Sequence, residues 1–250
     1  MKDSLYSYLL MLGDNSMVLG HRLSELCGHG PSLETDIALT NISLDLYGQV
    51  RSYFQYAAEL KGNDSSEDTI AFLRKERSYL NVVLLEQPNA DFAHVIVRQF
   101  LFDVYHSLLL AELVKSKDER IAAIAAKSIK ESKYHKRFSS EWVKRLGLGT
   151  KESHAKMQGA VSHLFPFADE FFKVSAIESE MQENGIGPDL MALKESYFKE
   201  VNSILEEATL SVEGLKPRVV SGKEGVHSEH MGYVLNELQY MQRAYPDMEW

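Results

Sequence analysis

Apolar residues recur every three or four positions along almost the whole chain, whereas the strict alternation of a half-buried β-strand is hard to find. This spacing predicts an all-α protein. The long predicted helices cover about residues 4–27, 33–61, 67–86 and 92–115, followed by one that ends near residue 146. The periodicity weakens around Phe165 and resumes over 190–210 and 229–245.

Helix-capping and helix-breaking residues separate the predicted helices. Ser32 follows Pro31 as a cap for the second helix, and the segment GNDSSED ends it. Pro88 and Asn89 interrupt the chain before the fourth helix, for which Asp91 is the expected cap. The SKDE segment 116–119 has the spacing of a capping box that opens the fifth helix.

Long helices joined in pairs by short turns predict an antiparallel bundle. We expect its core at about residues 4–146, with the helices of residues 150–250 packed on it. No short repeat, low-complexity tract or convincing boundary divides the chain. The sequence therefore predicts a single domain, 1–250, with 44% hydrophobic residues to fill its core.

Charge and cysteine content exclude several classes of protein. The net charge of -9 is spread along the chain without a basic block, so nucleic acid is not an expected partner. No apolar run approaches the roughly 20 residues that span a bilayer, so we expect no membrane association. Cys27 is the single cysteine, which excludes an intramolecular disulfide and favours a reducing compartment. The predicted location is the cytoplasm.

Acid-x-x-His pairs on helices are typical of di-iron carboxylate bundles, where both side chains then share one helix face. About one such pair is expected by chance from 36 acidic residues and 9 histidines. The chain contains three: Asp91 with His94, Asp103 with His106, and Glu224 with His227. Only Asp103 and His106 lie mid-helix among apolar residues, within FLFDVYHSLLL.

A second cluster, KSIKESKYH, lacks the residue that such a site needs. Ser132 lies three positions before His135, and Glu131 lies four before it, where a salt bridge to Lys127 is the alternative role. The first two helices offer only scattered acids: Asp14, Glu25, Asp36, Asp45 and Glu59. Their central segments, MVLG and SLDLYGQ, contain no acid-x-x-His pair, so the predicted ligand count falls short of a di-iron site.

The segment HSEHMG offers a different metal-binding hypothesis. His227 and His230 have the spacing of a zinc-binding pair, with Glu229 between them. Hydrogen bonding or helix capping is the alternative role, which the lack of further ligands favours. The chain has no nucleophile elbow, Walker-type loop or dinucleotide fingerprint.

Several long strings resemble one known family. LGDNSMVLGHRLSELCGHGPSLETDIALTNISLDLYGQ, LLEQPNADFA, AAKSIKESKYHKRF and HSEHMGYVLNELQYMQR are similar to the C subunits of bacterial phenylacetyl-CoA 1,2-epoxidases. The resemblance covers essentially the whole chain. It implies a ferritin-like bundle and a non-catalytic, structural role within a multicomponent monooxygenase of aerobic phenylacetate catabolism.

The resemblance also implies partners and cofactors. A paralogous A subunit is expected to hold the di-iron centre, and B and reductase E subunits complete the complex, with FAD, an iron–sulfur cluster and NADPH belonging to the reductase. No cofactor and no catalytic residue are expected in this chain. A homodimer of the isolated chain is a further expectation.

Compared with the paralogous catalytic subunit, this chain has other residues at most ligand positions. The implied positions, a remnant of a di-iron site, are Leu19, Leu46, Gln49, Asp103, Ser132 and His135, with Glu131 and His106 nearby. We expect Asp103 and His135 to point into the bundle, held by hydrogen bonds or by Lys127 or Lys130, because a buried unpaired carboxylate is costly.

Two other functions are consistent with the residues. The first is an active ferritin-like oxygenase that binds metal through Asp103, His106, Glu131 and His135. The second is a metal-free helical scaffold in another pathway.

Overall fold

A computed structural model of the chain describes residues 1–62, 65–246 and 248. In this part of the chain the regular secondary structure is nine α-helices and four short 3₁₀ segments, with no β-strand. The α-helices are α1 (Lys2–Ser24), α2 (Leu33–Lys61), α3 (Glu67–Phe72), α4 (Phe92–Leu113), α5 (Glu119–Gly147), α6 (Lys151–Leu164), α7 (Ala176–Glu183), α8 (Leu190–Glu207) and α9 (Glu229–Ala244). The all-α prediction is confirmed.

The four long helices α1, α2, α4 and α5 form the bundle. α1 packs along α2, α4 packs along α5, and contacts between α2 and α5 join the two pairs. Each pair is connected by a short turn, which makes its helices antiparallel. Their inner faces bury apolar side chains such as Leu9, Phe54, Phe100 and Leu110, which are fully inaccessible to solvent.

Side-chain caps set the helix boundaries. The Ser32 hydroxyl accepts a hydrogen bond from the Thr35 amide, and Asp91 accepts one from the His94 amide, as predicted. The fifth predicted helix begins differently. Asp118, and not Ser116, caps α5, while the Ser116 hydroxyl accepts from the Asp118 amide. Positions 63 and 64 of the predicted GNDSSED turn lie outside the described residues.

The length predicted for the third helix, 67–86, is wrong. α3 ends at Phe72, and residues 73–91, which we call the crossover segment, run to α4 with only two short 3₁₀ turns. Side chains of the bundle satisfy its backbone. Asp14 accepts from the Leu80 amide at 2.9 Å, and Asn15 accepts from the Val82 amide at 2.9 Å. These bonds replace the intrahelical ones that a longer helix would have formed.

Buried arginines hold the other end of the crossover segment. Arg22 donates through Nε and Nη2 to the Glu86 carbonyl, and Arg98 donates through Nη1 to the Gln87 carbonyl. Arg98 is fully buried and also donates to the Asn89 side chain. The two guanidinium groups therefore fix the turn that precedes α4.

The C-terminal helices pack on the bundle: α6 on α4 and α5, α7 on α1, and α8 on α4 and α5. Buried charges anchor the loops between them. The Glu170 carboxylate accepts from the Val83 and Gly222 amides, and Lys223 pairs with Glu178 at 2.7 Å. None of the helices in the described residues is long and apolar enough to cross a bilayer.

Candidate functional site

Six positions predicted from the resemblance are buried in the four-helix bundle, and we call them the central cluster: Leu19 of α1, Leu46 and Gln49 of α2, Asp103 of α4, and Ser132 and His135 of α5. All six are buried, with at most 2% of each residue exposed. The expectation that Asp103 and His135 point into the bundle is confirmed.

Asp103 is held by two uncharged side chains. Gln99 Nε2 donates to Asp103 Oδ1 at 2.7 Å, and Ser139 Oγ lies 2.7 Å from Asp103 Oδ2. Burial raises the pKa of Asp103 to about 8, although these two hydrogen bonds and the charge of Lys136 lower it. Ser139 Oγ donates the second of these hydrogen bonds to Asp103 Oδ2. The same hydroxyl oxygen also lies 3.1 Å from the His135 carbonyl.

The two histidines of the site differ in their partners. His135 Nε2 lies 2.9 Å from Asp45 Oδ2 across the α2–α5 interface, and burial lowers the pKa of His135 against the smaller, raising effect of Asp45. His106 stacks on Phe102 with ring centroids 4.8 Å apart. Burial, with a smaller contribution from His135, lowers the pKa of His106 to about 3, so its ring is neutral. Hydrogen bonds, and not Lys127 or Lys130, hold Asp103 and His135.

The remaining polar members of the cluster carry no charge. Both amide atoms of Gln49 and the Ser132 hydroxyl are buried without a hydrogen-bond partner among the described residues. Glu131 is partly exposed beside them, and burial together with the Asp45 carboxylate raises its pKa. The protein thus presents amide and hydroxyl groups where a pair of metal ions needs anionic oxygen ligands.

A di-iron centre does not fit these residues. Leu19 and Leu46 place apolar surface where the resemblance expects carboxylates, and both oxygens of Asp103 already have partners in the protein. Two adjacent dications would require several carboxylates for charge compensation, but Asp103 is the one carboxylic acid among the six positions. The central cluster therefore forms a layer of apolar and polar side chains in the buried core.

The other candidate acids bond to groups outside the central cluster. Asp14 pairs with Arg74, Glu25 with Arg22, and Glu59 with Arg120, while Asp36 accepts from the Gly28 and Gly30 amides. Among the described acids of the first two helices, Asp45 is the one that bonds to a member of the central cluster.

His227 has the hydrogen-bonding role that the sequence favoured over zinc binding, because both nitrogens of its ring have partners in the protein. Its Nδ1 lies 2.6 Å from Glu86 Oε1 and its Nε2 lies 2.9 Å from the Tyr79 carbonyl. The Ser228 amide and hydroxyl both donate to Glu86 Oε2. The alternative role is confirmed: this segment caps α9 and attaches it to the crossover segment.

The sequence profile of the family described as "Phenylacetic acid catabolic protein" matches residues 1–250. The chain belongs to this family. It is also similar to a protein of Escherichia coli (strain K12) that is named as the C subunit of 1,2-phenylacetyl-CoA epoxidase. The two are 47% identical over 248 residues, which cover 99% of this chain and 100% of the relative. The resemblance found in the sequence is confirmed, and the helical architecture is the ferritin-like fold expected of the family.

Proposed function

We propose that this chain is a non-catalytic subunit of a multicomponent phenylacetyl-CoA epoxidase, in which it binds and stabilises a paralogous di-iron subunit. The observation that carries the proposal is the central cluster. Leu19, Leu46, Gln49 and Ser132 occupy positions where the resemblance implies metal ligands in the catalytic paralogue, and all four are buried in the core. The relative's name, which describes a C subunit, supports membership of an assembly.

The loss of metal ligands is compatible with a role in assembly. Two related helical bundles can pack through a pseudo-twofold interface derived from an ancestral homodimer, in which one copy loses its site while the contact is retained. The di-iron centre then belongs to the A subunit. B and reductase E subunits, the latter with FAD, an iron–sulfur cluster and NADPH, complete the proposed complex.

The chemistry of the central cluster favours this role over an active oxygenase in the same chain. An oxygenase that used Asp103, His106, Glu131 and His135 would need Asp103 ionised and free to bind metal. Asp103 instead bonds to Gln99 and Ser139, and burial favours its neutral form. His135 Nε2 is likewise taken by Asp45.

The decisive experiment is the turnover of phenylacetyl-CoA by reconstituted subunits with and without this chain. We expect co-expression with the A subunit to give a stable complex, and omission of this chain to abolish or sharply reduce epoxidation. His135→Gln, which removes an ionisable group from the central cluster, should retain activity in the complex. Full activity of the A subunit without this chain would refute the proposal, as would turnover by this chain with the reductase alone.

We further expect the chain purified alone to contain well under one iron atom per molecule. The reason is that the residues at the implied ligand positions supply neither the charge nor the free oxygen atoms that two irons require. Elemental analysis of protein expressed in iron-supplemented medium measures this directly, with the A subunit treated in parallel as the positive control. Near-stoichiometric iron that disappears in Asp103→Asn and His135→Gln would instead support the oxygenase hypothesis.

A further inference from the structure

Away from the central cluster, three side chains of the types that bind metal ions lie close together where the end of α1 meets α9. His21 and Glu25 lie one helical turn apart at the end of α1, and Glu237 of α9 faces them. His21 Nε2 is 3.8 Å from Glu25 Oε1 and 3.6 Å from Glu237 Oε2. One donor atom from each residue lies within 4.8 Å of the other two, and no other set of three is this compact in the part of the chain described.

The imidazole of His21 has a ring nitrogen that is available to bind a metal ion. Its Nε2 is buried and has no hydrogen-bond partner among the described residues, although it lies between two carboxylates. Only 14% of the side chain is exposed.

The surrounding side chains orient the first carboxylate. Arg22 Nη1 donates to both oxygens of Glu25, at 2.9 and 3.1 Å, and Asn89 Nδ2 donates to Oε2 at 2.9 Å. Such second contacts commonly fix the orientation of metal ligands. The Arg22 charge also offsets that of Glu25, which leaves the negative charge of Glu237 for a bound cation. We therefore expect an affinity below that of a fully anionic site.

We propose that His21, Glu25 and Glu237 bind a divalent transition-metal ion, with zinc as the best match, and that the ion ties α9 to the end of α1. One imidazole nitrogen and two carboxylate oxygens are ligands that zinc accepts, with its fourth position open to water. Magnesium prefers six oxygen ligands, so the imidazole disfavours it. Glu237, whose side chain is 64% exposed, keeps the site accessible from solvent.

The proposed ion would add a third attachment for α9. The N-terminus of this helix is bound through Ser228 and His227 to Glu86, and its middle through Gln239 Nε2 to the Tyr79 hydroxyl at 2.7 Å. Near Glu237, α9 faces α1 through the contact between the Glu237 carboxylate and the His21 ring. Because a ligand that binds only the folded protein stabilises it by mass action, zinc should raise the melting temperature.

The test is a titration of the full-length, chelator-treated protein with zinc chloride, followed by calorimetry and by thermal unfolding. We expect one zinc ion per chain and a melting temperature that rises with zinc but not with magnesium. Glu237→Gln, which changes an exposed side chain and should not disturb folding, is expected to weaken binding by about tenfold or more. His21→Gln should do the same.

Matched controls come from the same parts of the chain. Glu229→Gln changes an exposed acid of α9, and His29→Gln changes an exposed histidine after α1, so both variants should bind zinc like the unmodified protein. The proposal is overturned if no zinc binds at about 1 mM, or if Glu237→Gln and His21→Gln bind it as tightly as the controls do. Neither result depends on the epoxidase complex, so it leaves the proposed function untouched.

Discussion

Replacing Arg74 by methionine is expected to lower the free energy of unfolding by about 3–5 kcal/mol, because the change leaves a buried carboxylate unpaired. Arg74 forms a two-pronged ion pair with Asp14, whose side chain is fully buried, and it also donates to the carbonyls of Ile70 and Ser78. Its guanidinium lies 4.1 Å from the centroid of the Tyr79 ring. Methionine can replace the packing against this ring but not the charge. Equilibrium denaturation at neutral pH measures the loss.

A double variant separates the charge effect from the lost hydrogen bonds. In Arg74→Met combined with Asp14→Asn, no charge remains to be buried, and the amide oxygen of the new asparagine can still accept from the Leu80 amide. This pair should recover part of the stability lost in the single variant. Arg77→Met is the surface control, because Arg77 is exposed. Equal losses for Arg74→Met and Arg77→Met would show that the Asp14 pair contributes little to stability.

The long helices could be predicted from the sequence because local signals and tertiary packing agree there. The bounds of α2 coincide with the prediction, since Ser32 caps its start and Gly62, with a φ of 68°, follows its end. Most other helix ends also lie within a few residues of the predicted positions. The cap of α5 is Asp118, two positions after the predicted Ser116, because the Asp118 side chain accepts from both the Arg120 and Ile121 amides.

The crossover segment could not be predicted, because its conformation depends on residues far away in the sequence. Its apolar residues have helix-like spacing, yet Tyr79, Val82 and Leu84 are buried against the bundle in a segment without an α-helix. The amides of Leu80, Val82 and Val83 bond to side chains that lie 66, 67 and 87 positions away. Periodicity within a short window contains no information about such partners.

The positions of the central cluster could be predicted from the sequence, but the hydrogen bonds that its residues form could not. The resemblance identified Asp103 and His135, and helical spacing of four residues could have pointed to Gln99 and Ser139 as their partners. The bond from His135 to Asp45 joins residues 90 positions apart, and it depends on how α2 and α5 are rotated against each other. The contact between Glu237 of the last helix and His21 of the first could not be predicted for the same reason, because the two residues are far apart in the sequence.

Asp103→Asn is expected to stabilise the protein at neutral and alkaline pH. The pKa of Asp103 is about 8 in the folded chain, compared with an ordinary value of 3.8. Between these values the unfolded chain has released a proton that the folded chain retains, so the stability of the unmodified protein falls as the pH rises from about 4 to about 8. An asparagine does not ionise. Its amide oxygen can accept from Gln99, and its amide nitrogen can donate to the Ser139 hydroxyl oxygen.

The stabilities of the Asp103→Asn variant and of the unmodified protein should therefore differ more as the pH rises. The difference in their unfolding free energies should grow by up to about 1.4 kcal/mol per pH unit, reaching on the order of 2–5 kcal/mol by pH 8. Denaturation curves at pH 5, 6, 7 and 8 measure the divergence, and Asp3→Asn, at an exposed position of α1, should give curves parallel to those of the unmodified protein. If the Asp103→Asn curves are also parallel, Asp103 is ionised in the folded chain. Its buried charge would then need a cation, and the case for a metal-free central cluster would fail.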